Sequence, residues 1–491
     1  MNKRIYPSVA LFIITLALLF AGCKKDDPLI DDPVIVDGTT KTEASATTQK
    51  VNKFIYEVMG DVYLWYNQLP QIEQKYETDS KVYFKKLLYK DDKWSYITDN
   101  IAEWENSLQG IEKSFGYSLA FGRFVDAGGA TTGNLFAIVE YVHPNTPAKK
   151  AGFDRGSLIT QINGGNITTA NYRQLLSDET ITVTKGVLTT SGISVSGTVS
   201  MTAEELNLDP VMIYKIIEKD GHKIGYLFYT QFIANYNNSL QTALEFFRTN
   251  LITDLVLDLR YNPGGHTTAA QYLCSAIAPL TAVDGPKTLV TYQWNDKYQD
   301  YWMTKNITEQ TTVPFLNTVP VKLGLNKVTI LTGPGTASAA ELTITGLKPY
   351  MNVVMVGDTT FGKYTASITL KPEDFYTDAS SYADFKNWGI QPIVLRYANS
   401  LGITNFVNGF APDHLIADEL LPAQPLGDLS ETLLKKAVET ITGVPVVALK
   451  SAATKYEFKV FDRGFSLLDP VKRNAPVDVD IDFIRKRLPV H

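Results

Sequence analysis

The chain has few cysteines, few histidines and no excess of positive charge, and each shortage removes a class of function. Cysteine occurs only at Cys23 and Cys274 in 491 residues, too few for a disulfide framework. The five histidines, His143, His222, His266, His414 and His491, are scattered and never form a His-Glu-x-x-His pair, which argues against zinc hydrolysis. No Gly-x-Ser-x-Gly elbow occurs, which argues against an esterase. A net charge of −6 and a pI near 5.6 leave no basis for a phosphate-binding surface, so nucleic acid is excluded as a partner. Internal repeats and long low-complexity runs are absent as well. What remains is 44% apolar and 20% charged, a globular composition, at a length that suggests roughly three domains.

The first residues differ in kind. Lys3 and Arg4 precede an almost wholly apolar run, residues 9–20, followed by Ala21-Gly22-Cys23. A basic start, a short apolar segment and a small-residue cleavage site predict a secretory signal over residues 1–22. The run is too short to span a bilayer comfortably. Cys23 directly after the small pair resembles the lipobox of bacterial lipoproteins, with Phe20 where Leu is usual. That resemblance implies lipidation of Cys23, and two or more acyl chains suffice for stable anchoring. Residues 23–49 are polar and proline-bearing, a flexible tether. Their start, Lys24-Lys25-Asp26-Asp27, resembles the export tag of Bacteroidota surface lipoproteins. The expected location is the cell envelope: an outer-membrane lipoprotein facing the periplasm or the cell surface. With Cys23 acylated, Cys274 has no partner and reads as a buried structural thiol in an apolar run.

Residues 50–111 carry helical spacing. Val51, Phe54, Ile55, Val58 and Met59 recur at three and four residues, and Tyr63, Trp65 and Tyr66 extend the stripe. A second helix is expected around residues 80–88. The aromatics Trp65, Trp94 and Trp104 read as core. This predicts a small α-helical N-terminal domain. Residues 112–205 change to short strands with glycine turns, and two segments resemble a PDZ domain. Phe115-Gly116-Tyr117-Ser118-Leu119 stands where such domains keep their carboxylate-binding loop. Pro144-Asn145-Thr146-Pro147-Ala148-Lys149-Lys150-Ala151-Gly152-Phe153, then Gly156-Ser157 and Asn163-Gly164, follow the family's spacing, with Ser157 for the usual Asp. The resemblance implies capture of a peptide C-terminus at Gly116, Tyr117, Ser118 and Leu119, its tail added as a strand to a sheet edge.

From residue 206 to 443 strand-like and helix-like runs alternate, which predicts an α/β layer built from crossover units. Three loops in it carry chemistry. Arg260-Tyr261-Asn262-Pro263-Gly264-Gly265 follows a buried strand, where glycines let backbone approach a ligand. Gly335-Thr336-Ala337-Ser338-Ala339-Ala340-Glu341 enters an apolar helix-like run, and Thr360-Phe361-Gly362-Lys363 follows another strand. A serine hydroxyl becomes a nucleophile when a neighbouring base removes its proton, and a lysine serves as that base when its ammonium is destabilised. Burial among Phe361 and the preceding apolar strand is the expected cause.

Together the three blocks resemble the signatures of the C-terminal processing (tail-specific) serine proteases. The resemblance implies a ClpP/crotonase-like α/β protease domain in a multidomain α+β chain. It places the nucleophile at Ser338, with Thr336 for the family's first serine, and the general base at Lys363. The implied oxyanion hole combines the N–H of Ala339 with one from the Gly264-Gly265 turn. Many members carry a glutamine four residues after the lysine; here that residue is Ser367, a possible third member, with Thr365 beside it. Substrates would be proteins or peptides, with no metal or cofactor required. The competing reading is a catalytically inactive peptide-binding or ligand-binding lipoprotein on the same fold. The presence of both Ser338 and Lys363 favours the enzyme, and Ser367 keeps the rival open. Residues 444–491 form an extension without an assigned role, strand-like from Tyr456 to Phe461 and amphipathic at residues 481–488.

Overall fold

The computed structural model describes residues 41–125, 128–189, 192–446 and 458–463. Cys23, the signal and most of the tether lie outside these residues, as does the expected segment 481–488. Among the described residues no helix is long and apolar enough to cross a membrane.

The first helix, Ala46–Val62, starts where Ser45 Oγ accepts the Thr48 N–H at 3.1 Å, and it buries Val51, Phe54, Ile55, Val58 and Met59. It ends sooner than the aromatic stripe suggests. Tyr63 turns extended and is drawn inside, its hydroxyl donating to Asp92 at 2.7 Å, and a 3-10 turn Tyr66–Gln68 follows. Asp79 caps the second helix, Ser80–Leu87, through the Lys81 and Val82 N–H groups. Trp94 and Trp104 are buried, and Trp65 stacks on Tyr89 at 5.1 Å between centroids. The apolar face of this region packs into the same cluster as Leu257, Ile330 and Val394 of the α/β layer. Strand Tyr96–Thr98 pairs with Gly389–Gln391, so the helical region closes the core of the layer behind it.

Residues 117–202 form an antiparallel sheet in which Tyr117–Val125, Thr131–Val142, Leu158–Ile162, Thr180–Thr189 and Gly192–Thr202 are successive neighbours. This sheet has its own core, including Phe121, Val139, Ile159, Leu175 and Val183. Gly116 is required at its bend: φ is +78°, and a Cβ there would lie 2.4 Å from Thr146 Cβ. Its outer edge carries Phe458–Arg463, paired antiparallel to Tyr117–Val125. The strand expected over residues 456–461 joins this sheet, and its described part is Phe458–Arg463.

The α/β layer centres on six strands in the order Val211–Lys219, His222–Tyr229, Asp254–Asp258, Lys327–Thr332, Asn352–Gly357, His414–Leu415. The first pair is antiparallel and every later neighbour parallel. Helices Asn237–Thr249, Thr267–Ile277 and Ala339–Leu347 connect them, as crossovers between parallel strands require. A second, antiparallel sheet of Thr312–Pro314, Thr288–Trp294, Ile393–Asn399 and Thr365–Ser367 was not legible in the alternating pattern. It carries the residues that follow the lysine.

Candidate active site

The three loops meet at the carboxyl ends of the parallel strands. The loop after Lys327–Thr332 is stapled to the glycine turn: Thr336 Oγ1 donates to Leu259 O at 2.8 Å, and the Ala337 N–H to Asn262 O at 3.0 Å. Asn262 in turn donates to Tyr229 O and accepts the Gly264 N–H, both at 2.9 Å. Gly264, at φ +107°, lies so close to the serine that a Cβ would stand 2.7 Å from Ser338 Cβ and 2.9 Å from Ala339 N. Gly265 is equally constrained, since a Cβ there would meet Phe232 O at 2.0 Å. No hydrogen bond among the described residues uses the N–H of Gly265 or of Ala339. The Ala339 group is among the unsatisfied donors that open a helix.

Ser338 sits at φ 56° and ψ −114°, in the left-handed half of conformational space that costs a non-glycine residue free energy. It is completely buried, and its Oγ has no hydrogen-bond partner among the described residues. An unsatisfied buried hydroxyl in a strained backbone is a costly arrangement, and its usual explanation is function.

Lys363 is also fully buried. Its backbone is clamped to that of Ser338 at two points. Glu341 Oε2 accepts both the Ser338 N–H at 3.0 Å and the Lys363 N–H at 2.7 Å. The Tyr397 hydroxyl lies 3.0 Å from Ser338 O and 2.7 Å from Lys363 O. The other Glu341 oxygen takes the Thr360 hydroxyl at 2.6 Å and the Gly362 N–H at 2.7 Å. Burial pushes the Glu341 carboxyl up to about 7, while the four donated hydrogen bonds work the other way. Phe361 does not shield the lysine: it turns outward, 37% exposed, its N–H held by Thr336 O at 2.9 Å. Ser367 and Thr365 are both buried in the strand after the lysine, and Thr365 Oγ1 has no partner among the described residues.

Glu341 and Tyr397 were not assigned roles from sequence. The capping-box spacing of Ser338 and Glu341 was the available signal for the first. Nothing local marks Tyr397, which arrives from a strand 59 residues beyond the serine.

A buried charge network ties the PDZ-like sheet to this crevice. Arg155 donates to Asp418 Oδ1 at 2.6 Å, to Tyr261 Oη at 2.5 Å and to Glu140 O at 3.1 Å. Arg260 grips Glu431 through two bonds of 2.7 and 2.8 Å and also binds Asp258 and Asp418. Tyr261, next to Asn262, thus touches Arg155 directly, and Arg260 shares Asp418 with it. A cavity of about 680 Å³ runs alongside. Gly116, Tyr117, Ser118 and Leu119 line one side, Trp104 another, and Pro263 of the glycine turn a third. Tyr117 donates to Leu175 O at 2.7 Å, spanning from the edge strand to the helix Gln174–Ser177. Ser118 Oγ turns inward to Glu140 at 2.8 Å, and Leu119 packs in the core.

Residues 223–413 match peptidase family S41, residues 50–96 the peptidase S41 N-terminal domain, and residues 138–184 a PDZ domain. Residues 223–413 thus form a peptidase family S41 domain. The chain is 23% identical over 312 residues to a carboxyl-terminal-processing protease of Synechocystis sp., covering 63% of this chain and 65% of that one. It is 24% identical over 326 residues to the carboxy-terminal processing protease CtpA of Bacillus subtilis, covering 65% and 62% respectively. The chain thus spans just under two thirds of the length of these two relatives. A solved structure of a candidate S41 protease from Bacteroides fragilis superposes with a TM-score of 0.64 at 29% identity, covering 79% of this chain and 97% of that one.

Proposed function

We propose that this S41 chain is a serine endopeptidase that recruits the C-terminal tails of protein substrates. The observation that carries the reading is the unbonded, strained Ser338 clamped through Glu341 and Tyr397 to a fully buried Lys363. Complete burial disfavours an ammonium, the condition for Lys363 to act as a neutral base. It takes the Ser338 proton as Oγ attacks the peptide carbonyl, then passes it to the leaving amine. Water releases the acyl group by the reverse sequence. The oxyanion is received by the N–H groups of Ala339 and Gly265; the Gly264 N–H is already committed to Asn262. Thr365, with Ser367 beyond it, supplies the hydroxyl that orients the amine where relatives use glutamine. The PDZ-like loop at Gly116 and Tyr117 holds a substrate's carboxylate, and the shared cavity leads its chain towards Pro263.

Incubation with an unstructured polypeptide such as reduced, alkylated casein tests this beside Ser338→Ala and Lys363→Ala. Cleavage by the native chain alone supports it; equal inertness of all three across pH 6–10 abolishes it. The lipobox supports anchoring at Cys23 in the outer membrane. Incorporation of radiolabelled palmitate, lost in Cys23→Ala, is the expected result, and equal labelling of both forms overturns it.

A further inference from the structure

The edge strand Tyr117–Val125 begins at the loop proposed to hold a substrate carboxylate. A tail captured there has to extend along that strand's outer edge, pairing with backbone groups that an edge leaves open. That edge is occupied in this chain. Phe458 pairs with Phe124, Lys459 with Arg123, Val460 with Gly122, Asp462 with Phe121 and Arg463 with Ala120. As the segment proceeds towards its C-terminal end it approaches Tyr117 and the loop. A tail whose carboxylate sits at the loop runs in the same direction and needs the same hydrogen-bonding positions. The two cannot share residues 120–124.

We infer that Phe458–Arg463 is a tethered occupant of the tail-binding edge, which a substrate's C-terminus must displace before it is held for cleavage. The inference rests on the recruitment reading above and deepens it. What holds the segment suits an exchangeable ligand. Lys459 and Val460 are exposed, Lys459 Nζ donates to Gly129 O at 3.1 Å, and five backbone positions pair along the edge. The segment is joined to the body near Val446, twelve residues upstream. Because the segment belongs to the same chain, its pairing is intramolecular, and a strand of weak intrinsic affinity still fills the edge. The apparent affinity of an incoming tail is then lowered by the fraction of chains whose edge is open.

Two full-length variants test the inference from opposite sides. Of any two consecutive strand residues, one donates its N–H to the neighbouring strand, so Lys459→Pro with Val460→Pro removes at least one ladder bond. Arg123→Cys with Lys459→Cys places thiols at paired positions, so that oxidation locks the strand in place. The probe is a fluorescein-labelled decapeptide ending Val-Leu-Val with a free carboxylate, its C-terminal amide serving as control, read by anisotropy. The proline variant is expected to bind the probe roughly tenfold more tightly than the native chain, with KM for polypeptide cleavage falling and kcat unchanged. The oxidised cysteine variant is expected to lose probe binding and to recover it with dithiothreitol. Failure of the disulfide to form overturns the inference. So does native-level affinity in both variants while the native chain binds the probe. If neither the native chain nor the proline variant binds it, the recruitment reading falls and takes this inference with it. Absence of hydrolysis with the affinity shift intact removes only the catalytic reading.

Discussion

The crevice around Ser338 and the outer edge of the PDZ-like sheet hold polypeptide in opposite ways. In the crevice, backbone N–H groups of the serine and lysine loops converge on one buried carboxylate, and the serine's strained backbone is held from both sides by Glu341 and Tyr397. At the edge, Phe458–Arg463 pairs with Tyr117–Val125 through a backbone ladder, and Lys459 and Val460 lie at the surface. A buried polar cluster is costly to open, because every separated partner is left unsatisfied in a low-dielectric surrounding. An exposed ladder opens cheaply, because water replaces each lost bond. On the proposed function, permanence lies where a nucleophile has to be aligned and exchangeability where a substrate has to enter.

The largest effect expected on that contrast is chemical. Ser338→Ala should lower peptide hydrolysis at least a thousandfold while leaving thermal stability and tail affinity near native levels. A stability loss as large as the activity loss would mean that the serine is structural. Next comes the joint between the two regions. Arg155→Ala removes the guanidinium bound to Tyr261 and one of the two bound to Asp418, which keeps Arg260, and is expected to cost about 3 kcal/mol in urea unfolding. If it instead unfolds like the native chain, the sheet and the crevice are not coupled through that network.

Glu341→Gln sharpens the contrast through pH. The native carboxyl titrates near 7 in the folded chain against 4.5 ordinarily, so the folded state keeps a proton that the unfolded state releases. Its contribution to stability therefore falls as pH rises from about 4.5 to 7, by about 3 kcal/mol at most. The glutamine variant should lack that slope, and its amide cannot accept all four donors, so hydrolysis should fall as well. Unfolding curves at pH 5 and pH 8 for both chains check the first part; parallel pH dependences would contradict it. The smallest effect belongs to the edge. Tyr117→Asp replaces the ring between the strand and the short helix with a charge, and tail affinity should drop about tenfold with kcat unaltered. Unchanged affinity by calorimetry would leave the PDZ-like sheet a spacer.

Much of this was legible in one dimension. The apolar periodicity of residues 51–59, the PDZ-like spacing around Gly152 to Gly164, and the order of the three loops all follow from local chemistry. The helix end at Val62 was not, because Tyr63 is pulled out of the helical stripe by Asp92, a partner 29 residues on. The outward turn of Phe361 was equally hidden: its hydrophobicity suggested burial, yet the Thr336 carbonyl fixes its backbone and Glu341 and Tyr397 occupy the inner side.

Sequence alone determined which residue types are available for acyl transfer and in what order, since turn glycines, a loop serine and a loop lysine are written locally. Only the tertiary structure decided that one glutamate and one tyrosine would join two of those loops, that Gly264 would spend its N–H on Asn262, and that the last described strand would pair along the outer edge of the PDZ-like sheet. Those outcomes depend on which distant backbones come within hydrogen-bond reach, and a linear pattern carries no such distances.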